Sequence, residues 1–407
     1  MTLSNLSLDH HRIRKDTPLF ARSVYLDAAA AAPPPLPVVE GIASYLKDLS
    51  RLGPYLPSFR AKTYEQVEEV RSKAAALIGA RPHEVAFTSN GTEGLNLVAN
   101  GLDWQEGDEV VLLDVEFHSN VVPWLRLERE RGVKVRTVTT DGEGMTTAEA
   151  VLAAVGPRTR LVTISHVLNA LGTVQPVEEI GQALKQIQPQ VLYLVNAAQS
   201  LGLLPLHVDR LHCDFLAAPG RKWLRGPEGS GILYVREDHL GEIRPTLVGW
   251  GGTEWLPAAR TLRHPATAKR FQAGLPNIPA ILGLGLAVDY ANQLGVAATA
   301  AQTGALVQQM DDLLRRIPGL AVYGPVQPEH RAGIISFNVT GVDPKRLVTV
   351  LAEQGVIIEA GTFMAEVALA KYGQSVVARV SPHYYNTEQD LVRMADLTET
   401  AARGAES

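Results

Sequence analysis

Cysteine is close to absent from this sequence. Cys213 is the only one in 407 residues, so no disulfide can form within the chain. That count excludes a disulfide-stapled scaffold and makes a reducing cytoplasm the expected compartment. An excess of positive charge is missing as well: 38 Lys and Arg stand against 43 Asp and Glu, a formal net charge of −5. Neither nucleic acid nor an anionic membrane surface finds a basic footprint on such a chain. No apolar run reaches membrane-spanning length. Residues 1–18 carry His10, His11 and several charges, without an apolar core of signal-peptide length. There is no G-x-G-x-x-G or Walker-type stretch to hold a nucleotide, and no residue is assigned to a metal.

What is present is enough apolar material, 46% of residues, to bury a large core, and the length favours two domains over one. Residues 1–22 read as a polar arm without periodicity. Residues 28–35, alanines followed by prolines, are the one low-complexity patch. Residues 51–62 read as a loop rich in Pro, Gly and Arg. Val67, Val70, Ala74 and Leu77 recur at three- and four-residue steps, which predicts a helix over 64–78. Short apolar runs follow at 85–88, 110–115, 133–138, 161–165, 191–195, 215–217 and 231–235. Near-continuous hydrophobicity is what strands covered on both faces require, so the fold class is α/β with a mostly parallel central sheet. Residues 276–294 predict the start of a connecting helix and 302–316 a second helix. Strands expected at 334–338, 356–358 and 376–381, with a helix over 344–354, make a smaller α+β domain. The expected division is an arm at 1–22, a large domain at 23–285 and a small domain at 286–407.

The chemistry gathers where runs end. Lys222 sits in a Gly220-Arg221-Lys222 turn after 215–217, shielded by Trp223 and Leu224. Burial disfavours an ammonium, so such a lysine loses its proton more easily than a free one, as a Schiff-base lysine must. An Arg-Lys pair taken alone is an ordinary surface feature; its surroundings make the difference. His118, Asn169, Asn196 and Gln199 also fall just past apolar runs, and ligands of open α/β sheets bind outside the carboxyl ends of the strands. Gly91-Thr92-Glu93-Gly94 leads from a strand into a helix and presents backbone N–H groups suited to a phosphate.

Five stretches in order, Tyr25-Leu26-Asp27, Gly91-Thr92-Glu93-Gly94-Leu95-Asn96, Asn196-Ala197-Ala198-Gln199, Cys213-Asp214-Phe215 with the lysine turn, and Tyr385-Asn386-Thr387-Glu388, resemble the class V aminotransferase family. These are fold-type I pyridoxal phosphate (PLP) enzymes, including cysteine desulfurases, isopenicillin N epimerase-like proteins and C–S lyases. The likeness runs from about residue 25 to 394. It implies a large domain plus a smaller C-terminal one, an amino-acid substrate and a homodimer. It implies that Lys222 binds PLP and moves protons, that His118 stacks on the ring, that Gln199 bonds the phenolic oxygen and that Gly91 and Thr92 hold the phosphate. Asn169 and Arg379 match residues at the substrate carboxylate, the latter as a bidentate fork.

The departures from that pattern steer the reaction. Asn196 stands where the family has an aspartate that keeps the ring nitrogen protonated, so the ring is expected to be a weaker electron sink. Reactions that store electrons on the ring should suffer most, and elimination of a good β leaving group least. Met364 stands at the place of the desulfurase cysteine, and Glu359 where an arginine is usual. Pro219 and Leu275 replace phosphate-binding hydroxyls, and Arg221 replaces a histidine and is a candidate partner for the phosphate. The expectation is a PLP-dependent C–S lyase acting on an S-substituted cysteine to give pyruvate, ammonia and a thiol. Two alternatives stay open: another PLP reaction at the α carbon (epimerisation, decarboxylation with oxidative deamination, or transamination), and a non-catalytic binding protein.

Overall fold

A computed structural model of the chain describes residues 8–404. Its strands are Val24–Tyr25 (β1), Val85–Thr88 (β2), Glu109–Leu113 (β3), Lys134–Val138 (β4), Thr159–Ser165 (β5), Leu192–Asn196 (β6), Phe215–Pro219 (β7), Gly231–Val235 (β8), Glu254–Leu256 (β9), Thr261–Arg263 (β10), Leu320–Tyr323 (β11), Ile335–Val339 (β12), Val356–Ile357 (β13), Glu359–Gly361 (β14) and Val377–Val380 (β15). Seven of them form one sheet in the order β2-β8-β7-β6-β5-β3-β4. Only β8 runs against its neighbours, so the carboxyl ends of the other six share one edge.

The predicted double coverage holds for the inner strands, while the edge strand β4 is largely exposed. Successive side chains of a strand face opposite ways, and Val110 and Leu112 enter one core while Val111 and Leu113 enter the other. The face of Val111 and Leu113 carries Val67 and Val70 of the helix Pro57–Leu77. The opposite face carries Leu95 of the helix Gly91–Gly101, with Trp104 and Trp124. A second sheet, β11-β12-β15-β14, is antiparallel and packs its own core against the helices Val296–Arg315, Pro344–Glu353 and Glu388–Arg403.

Several expectations need correction. Residues 1–22 are not simply an arm: His10–Lys15 is a helix capped by Asp9, Pro18–Ala21 is a 3-10 turn, and Ile13 and Phe20 are buried. Residues 1–7 of that stretch lie outside the described residues. One helical turn and a half is too short to register as a period in the sequence. Residues 51–62 are mostly helical, because the helix Leu36–Leu52 runs into them and Pro57 opens the next. Proline fits a first turn, whose N–H would be unsatisfied anyway. The strand β1 pairs in parallel with β13, and Val24 and Leu26 pack into the C-terminal core, although they precede the large sheet in the chain. The boundary drawn at 286 falls inside the helix Ile278–Leu294. No single helix among the described residues is long and apolar enough to cross a membrane. One bent pair, Ile278–Leu294 with Val296–Arg315, passes on length and composition together, broken by 77°.

Gly202 shows how closely the turn carrying the lysine is seated. Its φ is +86°, and a Cβ there would stand 2.4 Å from the backbone nitrogen of Leu224. Gly202→Ala combines a disfavoured backbone with a clash against main chain, so we expect a loss of roughly 2–4 kcal/mol. Urea denaturation measures it; a change under about 0.5 kcal/mol would show that the turn yields.

Candidate active site

The parallel strands bring the marked residues to one edge. Asn196 ends β6, and Lys222 follows β7 by three residues. His118 opens a 3-10 turn after β3, Asn169 follows β5, and the helix Gly91–Gly101 starts just beyond β2. The connection from β7 to β8 is closed by Gly220 N donating to Ser230 O at 2.8 Å and Gly226 N to Gly220 O at 2.8 Å. Arg225 within it takes a left-handed backbone, φ 60°, which is costly for a side chain larger than glycine. Its guanidinium repays this by donating to Pro33 O, Tyr384 Oη and Thr17 Oγ1. The lysine turn is thereby tied to the N-terminal segment, a role the sequence reading missed.

Burial, with Arg221 and then Arg379 nearby, lowers the Lys222 amine to about 7, against the opposing pull of Asp27 and Glu359. Trp223, buried beside it, donates from Nε1 to Gln199 Oε1 at 2.8 Å, and Gln199 Nε2 donates to Ala29 O at 3.1 Å. Gln199 has one amide proton left for a ligand. His383 lies behind Trp223. Burial, followed by Arg225, lowers it to about 3, so it is neutral and its Nε2 donates to Trp223 O at 2.9 Å.

At the start of the helix Gly91–Gly101, Asn90 Oδ1 accepts from Glu93 N at 2.9 Å, and Thr92 Oγ1 donates to Ser119 Oγ at 2.9 Å. The first N–H groups of a helix have no partner within it. A Cβ at Gly91 would stand 3.2 Å from Pro219 Cδ, so a larger residue would crowd this cradle. His118 is exposed at its rim. Arg221 donates to Ala30 O, which places it against the alanine segment.

Arg379 is buried and already engaged. It donates to Asn169 O at 3.0 Å, Asp27 Oδ1 at 3.1 Å and Glu359 Oε2 at 2.7 Å, and its guanidinium lies 4.0 Å from the centre of the Phe363 ring. Its Nε is buried with no partner. Burial raises Asp27 to about 6 despite the nearby arginine. Asn169 Nδ2 donates to Phe363 O at 2.7 Å, and Phe363 and Met364 both have φ 52°. The guanidinium expected to form a fork on a substrate carboxylate is here held by the chain's own carboxylates, Asp27 and Glu359. Asp27 and Glu359 were not predicted as parts of the site, although Asp27 lies in the Tyr25-Leu26-Asp27 stretch and Glu359 stands where an arginine is usual.

Met364 is 54% exposed on that loop. Cys213 is buried at the opposite end of β7, roughly 20 Å of extended chain from the lysine turn. Burial pushes its thiol far up, out of the reactive range. A half-buried lysine amine of lowered basicity, a glycine cradle at a helix start and an orphaned guanidinium nitrogen together fit PLP bound to an amino acid.

The family profile of Aminotransferase class-V matches residues 24–394. A probable cysteine desulfurase of Methanothermobacter thermautotrophicus is 38% identical over 397 residues, covering 96% of this chain and 97% of the relative. The apo structure of the cysteine desulfurase from Thermococcus onnurineus NA1 superposes with a TM-score of 0.91 at 32% identity, covering 97% of this chain and 98% of that one. The cystine C–S lyase C-DES, solved with its reaction product cysteine persulfide, gives 0.85 at 27% identity over 94% and 98% of the two chains. A lysine-to-alanine variant of C-DES carries glycine covalently linked to PLP, with a TM-score of 0.86, 27% identity and coverage of 96% and 99%.

Only the neutral amine attacks an aldehyde, so uptake of PLP by the apoprotein should quicken about tenfold per pH unit below 7 and level off above it. Stopped-flow absorbance checks this; a rate still climbing at pH 9 would contradict a lowered Lys222. Lys222→Ala should leave no borohydride-fixed adduct.

Proposed function

The chain belongs to the class-V aminotransferase family and its cofactor is pyridoxal phosphate; from that premise we propose a C–S lyase that eliminates the sulfur substituent of a cysteine-derived amino acid without passing sulfur to a thiol of the protein. The observation that carries this reading is the pair formed by exposed Met364 on the loop above Arg379 and Cys213 sealed at the far end of β7. The relatives' names, cysteine desulfurase and cystine C–S lyase, support the bond to be broken.

Bound PLP supplies a conjugated ring that accepts the electrons of the Cα–H bond. The protein's part is acid–base work and positioning. Lys222, near neutrality in basicity, takes the α proton. Arg379 binds the substrate carboxylate through its free Nε and the hand now on Glu359, while Asn169 holds the loop at Phe363. The β substituent leaves as a thiol, and water converts the remaining three-carbon fragment to pyruvate and ammonia. We place the reaction in a homodimer, with the apolar exposed residues Tyr55, Leu247, Val248, Trp250 and Leu275 at the subunit face, and in the reducing cytoplasm.

Incubation with S-substituted cysteines should release thiol and pyruvate in equal amounts, and Cys213→Ala should keep that rate within about twofold, since surface-remote thiols carry no chemistry when buried. Hydrogen peroxide with carbon dioxide, or loss of turnover in Cys213→Ala with the fold intact, would refute the reading. Glu359→Gln removes a charged competitor for Arg379, so KM should fall about three- to tenfold with kcat little changed. A higher KM in steady-state assays would instead make Glu359 a substrate contact.

A further inference from the structure

The carboxylate that the family places at position 196 is missing here, but a carboxylate lies behind that position. Glu116 is 5% exposed. Its Oε1 accepts from Ser165 N at 2.7 Å, and its Oε2 accepts from Ser165 Oγ and, at 2.9 Å, from Asn120 Nδ2. Asn120 is fixed in turn, its Oδ1 accepting from Thr163 Oγ1 at 2.7 Å. No cationic side chain among the described residues forms an ion pair with Glu116. A buried carboxylate without a cation is costly, and nothing in the reaction assigned to Lys222 uses it.

Its reach is set by the serine. A hydroxyl has one proton, and Ser165 commits it to Glu116, so Ser165 Oγ can only accept from Asn196. Asn196 Nδ2 does donate to it at 2.9 Å. This fixes the amide with Oδ1 on the other side, and Ala198 N, donating to Oδ1 at 3.2 Å, demands the same orientation. Every proton in the series points toward Glu116. A ring nitrogen meeting Asn196 Oδ1 faces an acceptor, and the contact is favourable only if that nitrogen carries a proton.

We propose that Glu116, acting through Ser165 and Asn196, is the positioning residue that keeps the cofactor's ring nitrogen protonated in this chain. The inference concerns the cofactor alone and holds for whichever amino acid reacts at Lys222. Burial raises Glu116 to about 7, against the pull of its Ser165 and Asn120 hydrogen bonds, so the acceptor end of the series is set to respond near neutrality.

The test reads the ring nitrogen directly, in protein reconstituted with 15N-labelled PLP and titrated by NMR without substrate. Glu116→Gln should lower the ring-nitrogen pKa by roughly one unit, about tenfold less protonated form above it. Ser165→Ala, which cuts the link and leaves Glu116 in place, should lower it similarly, and Ser165→Thr should restore it. Asn196→Asp should raise the pKa and make it nearly insensitive to a second change at 116. If Glu116→Gln misfolds, the serine pair decides alone. An unchanged ring-nitrogen shift in Ser165→Ala, or in a Glu116→Gln protein that merely melts earlier, would overturn the proposal.

Discussion

A lysine amine partly withdrawn from water near two guanidinium groups is the constraint on which the rest of this structure turns. Taking an ammonium out of water costs several kcal/mol, and the fold meets that cost by letting Lys222 exist near neutrality. Trp223 is held by Gln199, and Gly202 lets the backbone of the same turn pack closely. Arg225 anchors the same turn to Thr17, Pro33 and Tyr384, so the N-terminal segment closes the site from outside the large sheet.

Charge is distributed around the amine in a definite pattern. Arg221 and Arg379 push its proton off, and Asp27 and Glu359 hold it on. Glu359 also pairs with Arg379, so the group that would bind a carboxylate carries one of the protein's own. Behind Asn196 a further carboxyl group sits without an ion-pair partner among the described residues, linked through a single hydroxyl.

The family likeness explains the frame and leaves the differences to be explained residue by residue. Asparagine at 196 suggests an electron-poor support for the ring when read alone. In the fold it is the first side chain of a directed hydrogen-bond series that runs through Ser165 to the Glu116 carboxyl. Met364 and Cys213 sharpen in the other direction: the exposed loop position has no thiol, and the thiol the chain does have is inert through burial.

The sequence by itself determined the parallel sheet, because strands covered on both faces are apolar throughout and leave unbroken runs. It also determined the lysine turn and the glycine cradle after β2, since each is a local pattern of a few adjacent residues. The short helix His10–Lys15 and the helical character of much of 51–62 escaped it, because one and a half turns or a proline-opened start leave no period to read. Only the tertiary structure decided that β1 joins the C-terminal core, that Glu359 reaches Arg379, and that Glu116 stands behind Asn196 through Ser165. Those partners are 20 to several hundred residues apart along the chain. Hydrogen-bond direction depends on which groups share a proton in space, and no spacing along a chain encodes that.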